Sequence, residues 1–258
     1  MDNIDQTPPT PQPALPELHP GLIASIVVGS HPRPHDTLGQ HQFGDGFIIR
    51  ALRPLAEAVT AGLSSVALRV PAHRAMRALL KATSKPLAAP SANASGGISP
   101  TRAEHVLRSL DGRIPLIIDD GATLGGIEST IVAVTDGKVR LLRPGPVVID
   151  EAAGDDSPKI EAPGQLAAHY APSKPLRIDA TSADADEWHI GFGPIPGDVT
   201  LSATGSLAEA ASRLFDQLHA ADVNEHPRIA VAPILSAGIG IAINDRLRRA
   251  AVGSGARP

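Results

Sequence analysis

The chain has 258 residues, a net charge of −4, no cysteine and only 2% aromatic residues. Disulfides and zinc–thiolate sites are therefore excluded, and aromatic platforms for base stacking are disfavoured. The negative charge argues against a general electrostatic grip on nucleic acid, and the apolar run at residues 21–29 is too short to span a membrane.

The N-terminal segment shows no regular pattern. Residues 1–20 are rich in Pro, Thr and Gln, and residues 21–50 follow neither the period of a strand nor that of a helix. We therefore predict that residues 1–50 are irregular, either disordered or non-native. The three histidines of residues 21–50 could suggest a metal site, but the prolines between the first two favour solvated loop histidines. These residues are His31, His35 and His41.

Regular patterns predict an α/β domain over residues 51–150. Ser99 followed by Pro100 is a typical helix start, and apolar residues then recur with helical spacing. Asp136 and Gly137 separate two apolar runs and predict a hairpin turn. The predicted strands cover residues 63–70, 114–118, 131–134 and 139–142, and the predicted helices cover residues 72–82 and 100–110.

A second, smaller α/β domain is predicted over residues 187–258, after a linker at residues 151–186 that carries His169 and Tyr170. Ser206, followed three residues later by Glu209, forms a capping box and predicts a helix start. The predicted strands of this domain cover residues 187–192, 199–202 and 228–232, and its second helix covers residues 239–250.

Small polar residues and glycines cluster beside these elements, at residues 86–101, 125–130 and 141–145. One such cluster is typical of an ordinary turn, but three close together favour a ligand site. Ser99 lies at a predicted helix N-terminus, where an anion is favoured. Arg69 and Arg143 project from apolar strands, either as structural ion pairs or as clamps for carboxylate or phosphate. The residues alone predict a small anionic ligand in an α/β pocket.

Three adjacent polar residues, Glu128, Ser129 and Thr130, precede an apolar strand. Glu128 is a candidate base or magnesium contact, or else an exposed loop carboxylate. Ser129 and Thr130 either belong to the site or only end a loop. The spacing leaves these alternatives open.

Several segments resemble, in order, the YrdC-like family of L-threonylcarbamoyladenylate synthases. Those of the catalytic domain are residues 63–71, which end in Ala-Leu-Arg-Val-Pro, and residues 86–101, 126–130 and 142–145. Residues 163–172 (Pro-Gly-Gln-Leu-Ala-Ala-His-Tyr-Ala-Pro) resemble the linker of two-domain members, and residues 191–194 and 229–248 resemble their C-terminal domain. The resemblance covers residues 55–250. It implies a partial YrdC-like twisted open sheet with helices, plus a small Rossmann-like C-terminal α/β domain.

The resemblance also implies an activity. Members are nucleotidyltransferases that form threonylcarbamoyl-AMP and pyrophosphate from L-threonine, bicarbonate and ATP, for N6-threonylcarbamoyladenosine modification of tRNA. ATP is then a substrate accompanied by Mg²⁺, and a tRNA-modifying transferase complex is the implied downstream partner. We expect a cytoplasmic protein with no membrane partner and at most weak direct contact with RNA.

Carried over residue by residue, the resemblance implies specific contacts with the substrates. Arg69, Ser129 and the backbone near Ala89 would bind threonine. The residues that would contact ATP or the adenylate are Ser65, Ser91, Ser99, Arg143 and Tyr170, the last of which would close over the nucleotide from the linker. No residue is assigned as an acid, base, nucleophile or metal ligand.

Two motifs of the family are absent from residues 1–50: a Pro-Thr-Glu-Thr-x-Tyr-Gly-Leu segment and a Lys-x-Arg pair. We therefore expect about the first half of the catalytic domain to be missing, through a frameshift or a misplaced start codon. Weak phosphate binding and an exposed sheet edge should follow. The alternatives to an active synthase are a truncated, non-catalytic remnant that binds nucleotide or RNA, and a structural or regulatory partner of the tRNA-modification machinery.

Overall fold

The computed structural model describes residues 46–50, 65–69, 71, 73–135, 138–149 and 167–255. They form a mixed α/β fold with one sheet in the N-terminal half (residues 46–149) and another in the C-terminal half (residues 167–255). Within these ranges no helix has the length and apolar character needed to cross a membrane. His31, His35 and His41 and the predicted turn at residues 136–137 lie outside the described residues.

The N-terminal sheet has the strand order β2-β1-β3-β4. Its strands are β1 (Gly46–Arg50), β2 (Ser65–Arg69), β3 (Ile131–Thr135) and β4 (Lys138–Arg143). β1 pairs antiparallel with β2 and parallel with β3, and β3 and β4 pair antiparallel as predicted. Ile131 lies opposite Arg143 in the register. The loop that ends at Thr130 is therefore held beside the end of β4.

Two helices accompany this sheet, α1 (Arg74–Thr83) and α2 (Ala103–Leu110). The prediction that Ser99 caps the second helix is wrong, because α2 begins at Ala103 with Arg102 as its N-cap. The Ser99 hydroxyl donates instead to the Glu128 carboxylate. A hydrogen bond to a charged group is about twice as strong as one between neutral groups. The bond from Ser99 to the Glu128 carboxylate is therefore stronger than a capping bond from a backbone N–H to the Ser99 hydroxyl would be.

Two other sequence interpretations differ from the structure in this half. Strand β1 lies within the segment predicted to be irregular; its apolar residues are consecutive, a pattern that a two-residue period does not detect. The prediction of a buried strand over residues 114–118 is wrong, since the segment is coil and Leu116 and Ile118 are 62% and 43% exposed. No described strand lies beside this segment to pair its backbone groups.

The C-terminal sheet is parallel throughout, in the order β5-β8-β6-β7. Its strands are β5 (Leu176–Arg177), β6 (Glu187–Gly191), β7 (Val199–Thr200) and β8 (Arg228–Val231), and its helices are α3 (Leu207–Val223) and α4 (Ile239–Gly253). Ser206 caps α3 as predicted, because its hydroxyl accepts the Glu209 backbone N–H at 3.3 Å. Only the short β5, inside the predicted linker, departs from the predicted elements.

Loops of the N-terminal half pack into the core of the C-terminal half. Ile98 and Ile127 belong to the same buried cluster as the apolar residues of α3, α4 and the parallel sheet. Gly126 lies so close to α3 that a Cβ there would stand 2.1 Å from the Ala211 carbonyl oxygen. The loops that carry Ser99 and Glu128 are therefore docked on the C-terminal helices.

Polar contacts fix the same docking. Arg102 forms a two-pronged ion pair with Asp216 of α3, with N···O distances of 2.6 and 3.1 Å. His105 of α2 stacks on His219 of α3, with ring centroids 3.7 Å apart. The Nε2 atom of His219 lies 3.2 Å from the Ser99 carbonyl oxygen. Ser99 and the residues that follow it, as far as His105, are thus held against α3.

Candidate active site

Glu128 lies at the centre of a polar cluster where the N-terminal loops meet α4. One carboxylate oxygen accepts a hydrogen bond from the Ser99 hydroxyl, and the other accepts one from Arg246 Nε at 2.9 Å. Burial by itself raises the pKa of Glu128, but Arg246, Arg143 and the bond from Ser99 outweigh it and hold this pKa below its ordinary value. Glu128 is therefore a carboxylate near neutral pH, and both of its oxygens are engaged.

Arg143 and Ser129 form the neighbouring part of the cluster. The buried Arg143 guanidinium donates from Nε and Nη2 to the Ser129 carbonyl oxygen, at 3.2 and 2.8 Å. The Ser129 hydroxyl is also buried, and within the described structure it has no hydrogen-bond partner. A buried polar atom without a partner in the chain is a place where water or a ligand is expected to bind. This orphaned hydroxyl lies beside a fixed positive charge.

Thr130 has a structural role. Its hydroxyl donates to the Val147 carbonyl at 2.8 Å and accepts the Val147 N–H at 3.0 Å. Gly145 passes so close that a Cβ there would stand 2.2 Å from the Thr130 backbone nitrogen. These contacts fix the loop against the end of β4 and keep Ser129 beside Arg143.

Arg69, at the end of β2, adds a second cation to the cluster. Its side chain is exposed at the surface, yet partial loss of hydration and the like charge of Arg143 lower its pKa, while Glu128 opposes that shift. Arg69, Arg143 and Glu128 therefore share one electrostatic environment. Two guanidinium groups of this kind are suited to bind a carboxylate or a phosphate.

Tyr170 closes the cluster from the side of the C-terminal half. Its backbone has a positive φ of 62°. Its ring is buried and packs on the ring of Phe215, with centroids 5.6 Å apart. The Arg246 guanidinium carbon lies 5.4 Å from the same ring centroid. Burial, and secondly Glu128, raise the pKa of Tyr170. The hydroxyl faces Arg143 without forming a well-directed hydrogen bond.

A cavity of about 340 Å³ adjoins this cluster, within the usual size range of small-molecule sites. Two buried polar atoms at its wall, Asn93 Oδ1 and His169 Nδ1, have no hydrogen-bond partner within the described structure. Burial lowers the pKa of His169, and Glu128 opposes that shift. The lining residues are Pro90, Ser91, Asn93, Ser95, Leu110, Ile114 and His169.

The structure brings most of the predicted site residues together. Those gathered around Glu128 are Arg69, Ser99, Ser129, Arg143 and Tyr170. Ser91 lies at the cavity, which reaches the cluster through His169, next to Tyr170. Ala89 is exposed in the coil that leads into the cavity wall, and Ser65 begins β2 opposite Arg50.

Arg246 is the residue of this site that the sequence reasoning missed. It occupies the buried face of α4 together with Ile243 and Leu247, and it is fully buried itself. A charged residue in an apolar helical stripe is the signal that could have identified it, because a buried charge requires a partner.

Two family models match the chain in order. One, described as Telomere recombination, matches residues 44–145, and the other, described as Threonylcarbamoyl-AMP synthase, C-terminal domain, matches residues 126–252. The second begins in the loop that carries Glu128, the same loop that packs on α3 and α4. The sequence match and the packing therefore treat that loop and the C-terminal half as one unit.

Similar proteins point the same way. Threonylcarbamoyl-AMP synthase of Bacillus subtilis is 36% identical over 230 residues, which cover 77% of this chain and 66% of that protein. The crystal structure of Pyrococcus abyssi Sua5 complexed with L-threonine has a TM-score of 0.71 and 30% identity, covering 81% of this chain and 70% of that one. The chain thus spans just under two thirds of the length of the Bacillus relative.

A short stretch of the chain has a different likeness. Over 42 residues, 16% of this chain, it is 50% identical to the 1,4-alpha-glucan branching enzyme GlgB of Mycobacterium ulcerans, of which it covers 6%. A match of that length carries neither a fold nor an activity. The two family models and the longer relatives cover most of the described residues, and the chain belongs to the YrdC-like family of threonylcarbamoyl-AMP synthases.

Proposed function

We propose that this protein forms threonylcarbamoyl-AMP and pyrophosphate from L-threonine, bicarbonate and ATP, for N6-threonylcarbamoyladenosine modification of tRNA. The observation that carries the proposal is the buried pair of Ser129 and Arg143, an unpartnered hydroxyl beside a fixed cation. That pair suits a small polar anion, and it lies within both segments matched by the family models. The related Pyrococcus protein, solved with L-threonine, supports the same ligand class.

The arrangement suggests how the substrates divide the site. Arg69 and the Ser129 hydroxyl would hold the carboxylate and polar groups of threonine, with the backbone near Ala89 assisting. Ser65, at the start of β2, and Ser91, at the cavity wall, would contact ATP. The remaining ATP contacts would come from Ser99, Arg143 and Tyr170.

Chemistry at this site would consist of positioning and charge neutralisation. The threonine amine and bicarbonate give a carbamate with loss of water, and a carbamate oxygen then attacks the α-phosphorus of ATP as pyrophosphate leaves. Arg143 and Arg69 would offset the negative charge that gathers during this displacement. No side chain of the cluster is assigned as a nucleophile, and Glu128 has both oxygens engaged.

Mg²⁺ would enter together with ATP as part of the substrate and would offset the negative charge of its phosphates. The described residues contain no group of three or more His, Asp or Glu side chains arranged to hold a metal ion. Glu128, a candidate magnesium contact, is already bound to Ser99 and Arg246. The side chains in the described part of the chain do not form a resident metal site, and no step of the proposed chemistry is routed through one.

The product implies a partner in a later reaction, a transferase complex that moves the threonylcarbamoyl group to tRNA. The net charge of −4 and the low aromatic content favour weak direct contact with RNA. The product would then be released and passed on as a small molecule.

A second candidate function is a nucleotide- or RNA-binding protein of the same family that does not turn over. The absence of the Pro-Thr-Glu-Thr-x-Tyr-Gly-Leu segment from the 258 residues favours it. So does the position of Lys138, the first residue of the only Lys-x-Arg in the chain, which lies in β4.

The two candidates differ in whether labelled product forms. We would incubate the chain with ATP, L-threonine and isotopically labelled bicarbonate and analyse the nucleotides by mass spectrometry. An active synthase gives threonylcarbamoyl-AMP that carries the label, and D-threonine as a control gives none. ATP bound by the protein without any labelled product would exclude the synthase and leave the binding protein.

A further inference from the structure

Arg246 connects helix α4 to the candidate active site through every arm of its guanidinium. Nε donates to Glu128 Oε2 at 2.9 Å, Nη1 donates to the Pro144 carbonyl at 2.7 Å, and Nη2 lies 3.4 Å from the Glu128 carbonyl. Nη1 also lies 3.0 Å from Asp245, which pairs with Arg249 as well. The side chain is fully buried. A residue of the C-terminal half therefore holds both Glu128 and the residue that follows Arg143.

A buried ion pair is weak support for stability by itself, because the loss of hydration offsets much of the attraction between the charges. The pair of Arg246 and Glu128 therefore calls for another explanation. Its position suggests one, since Glu128 lies within electrostatic reach of Arg69 and Arg143 as well. If the Glu128 carboxylate were not held by Arg246, its charge would be left to Arg69 and Arg143, the two arginines proposed to bind the anionic ligand.

We propose that Arg246 is a positioning residue of the active site, which neutralises Glu128 and holds it on Ser99. Glu128 then does not offset the positive charge of Arg69 and Arg143, which stays available to an anionic substrate group. The inference rests on the proposed function for the identity of the substrate. It makes the C-terminal half part of the electrostatics of the site and gives the interface more than a packing role. Charges in a partly buried site interact strongly enough to change affinity by about tenfold.

The test compares two single variants of the full chain that change the charge of this pair in opposite directions with a double variant that leaves the pair neutral. Arg246→Met leaves the pair with an extra negative charge, Glu128→Gln leaves it with an extra positive charge, and the double variant Glu128→Gln/Arg246→Met restores neutrality. Arg213→Met is the matched control, because it removes an arginine from an exposed i,i+4 pair with Glu209 in the same half. Binding of inorganic pyrophosphate and of L-threonine is measured by calorimetry, and folding by circular dichroism.

We expect pyrophosphate affinity to fall about tenfold in Arg246→Met and to rise in Glu128→Gln, although both single variants lose thermal stability. The double variant and the control should bind within about threefold of the wild type. A merely structural role predicts that both single variants bind less tightly, in step with their stability. That pattern overturns the proposal, and so does a double variant no better than Arg246→Met.

The two readouts keep this proposal separate from the proposed function. A wild type that binds pyrophosphate but not L-threonine contradicts the synthase, while the order of the variants still decides the role of Arg246. A wild type that binds neither anion overturns both. Should Arg246→Met fail to fold, Glu128→Gln decides the question, because the proposal requires it to bind pyrophosphate more tightly than the wild type does.

Discussion

At the scale of single residues, the neighbouring hydroxyls of Ser129 and Thr130 differ in their hydrogen bonding. The Thr130 hydroxyl makes two hydrogen bonds to the Val147 backbone, whereas the Ser129 hydroxyl is buried and makes none within the described structure. A buried hydroxyl without a partner in the chain lowers the stability of the fold, which favours a role in binding water or a ligand.

This difference predicts that Ser129→Ala and Thr130→Ala have contrasting effects. We expect Ser129→Ala to keep or slightly raise the free energy of unfolding, since it removes an unpaired polar group, and to weaken L-threonine binding about tenfold. Thr130→Ala should lower the free energy of unfolding by roughly 1–2 kcal/mol, because it leaves two backbone groups unpaired. Thermal unfolding and titration calorimetry measure both effects. Unchanged threonine binding in Ser129→Ala would remove Ser129 from the site.

The same scale shows what local composition can reveal. That Ser99, Ser129 and Arg143 lie in one polar cluster is predictable, because small polar residues and isolated arginines beside strands favour a ligand site; their role in binding stays a prediction. The role of Arg246 is not predictable in that way, since its partner Glu128 lies 118 positions away in the chain. Only the packing of α4 on that loop brings the two together.

At the scale of elements, the docking of the 125–130 loop on α3 depends on Gly126. Its φ is +69°, and an added Cβ would stand 2.1 Å from the Ala211 carbonyl oxygen. Gly112 has a similar φ of +70° but nothing within 4 Å of an added Cβ. The two glycines therefore share the backbone strain of a substitution, and only one has the steric conflict.

We predict that Gly126→Ala destabilises the protein more than Gly112→Ala does. Both variants bear the roughly 1 kcal/mol cost of a left-handed alanine. Gly126→Ala must also push the loop off α3, which would displace Ile127 and Glu128. Chemical denaturation of the two variants gives the difference in the free energy of unfolding. Equal values would mean that the loop is not held against α3 as described.

The helix interface also carries a pH dependence. Desolvation, and secondly the charge of His105, lower the pKa of His219 from 6.5 to about 4, while the contact with Ser99 and the nearby Asp216 oppose the shift. Arg108 also lowers it, and Arg102 pairs with Asp216 across the same interface. Folding therefore favours the neutral His219 ring.

Stability from this group is complete above pH 6.5 and is lost as the pH falls from 6.5 towards 4, because the unfolded chain binds the proton first. A shift of this size corresponds to roughly 3 kcal/mol. His219→Gln keeps a donor for the Ser99 carbonyl without titrating, and groups distant from His219 contribute equally to both proteins. Melting temperatures at several pH values should show a smaller loss in the variant. Parallel curves for the two proteins would contradict the neutral His219.

Elements with their own periodicity and caps are the predictable part of the fold. The helix after Ser206 and the helix at residues 239–250 agree with the sequence because their signals are local. Residues 114–118 fail as a predicted strand because an apolar run forms a strand only beside a partner, and no described strand offers one. Strand β1 is not predicted from its own residues, because the strands that pair with it, β2 and β3, lie elsewhere in the chain.

At the scale of the whole molecule, the two halves differ in packing. The C-terminal half has a continuous core, in which Leu214, Phe215 and Ile229 are fully buried. Among the described side chains of the N-terminal sheet, Ile131, Ala133 and Leu142 form a buried cluster, and Leu68 on β2 is 46% exposed. Ile98 and Ile127 of the N-terminal half pack into the C-terminal core. A site built across that junction should lose its geometry whenever the halves separate.

The central claim is that this junction is the active site of a threonylcarbamoyl-AMP synthase. The most direct measurement is pyrophosphate release from ATP by the purified chain, with L-threonine and bicarbonate each present or omitted. The account predicts release only when both are present, and a strong decrease in the Arg143→Lys variant, whose ammonium cannot reproduce the two-pronged contact with Ser129. Release that ignores threonine, or none under any condition, would contradict it.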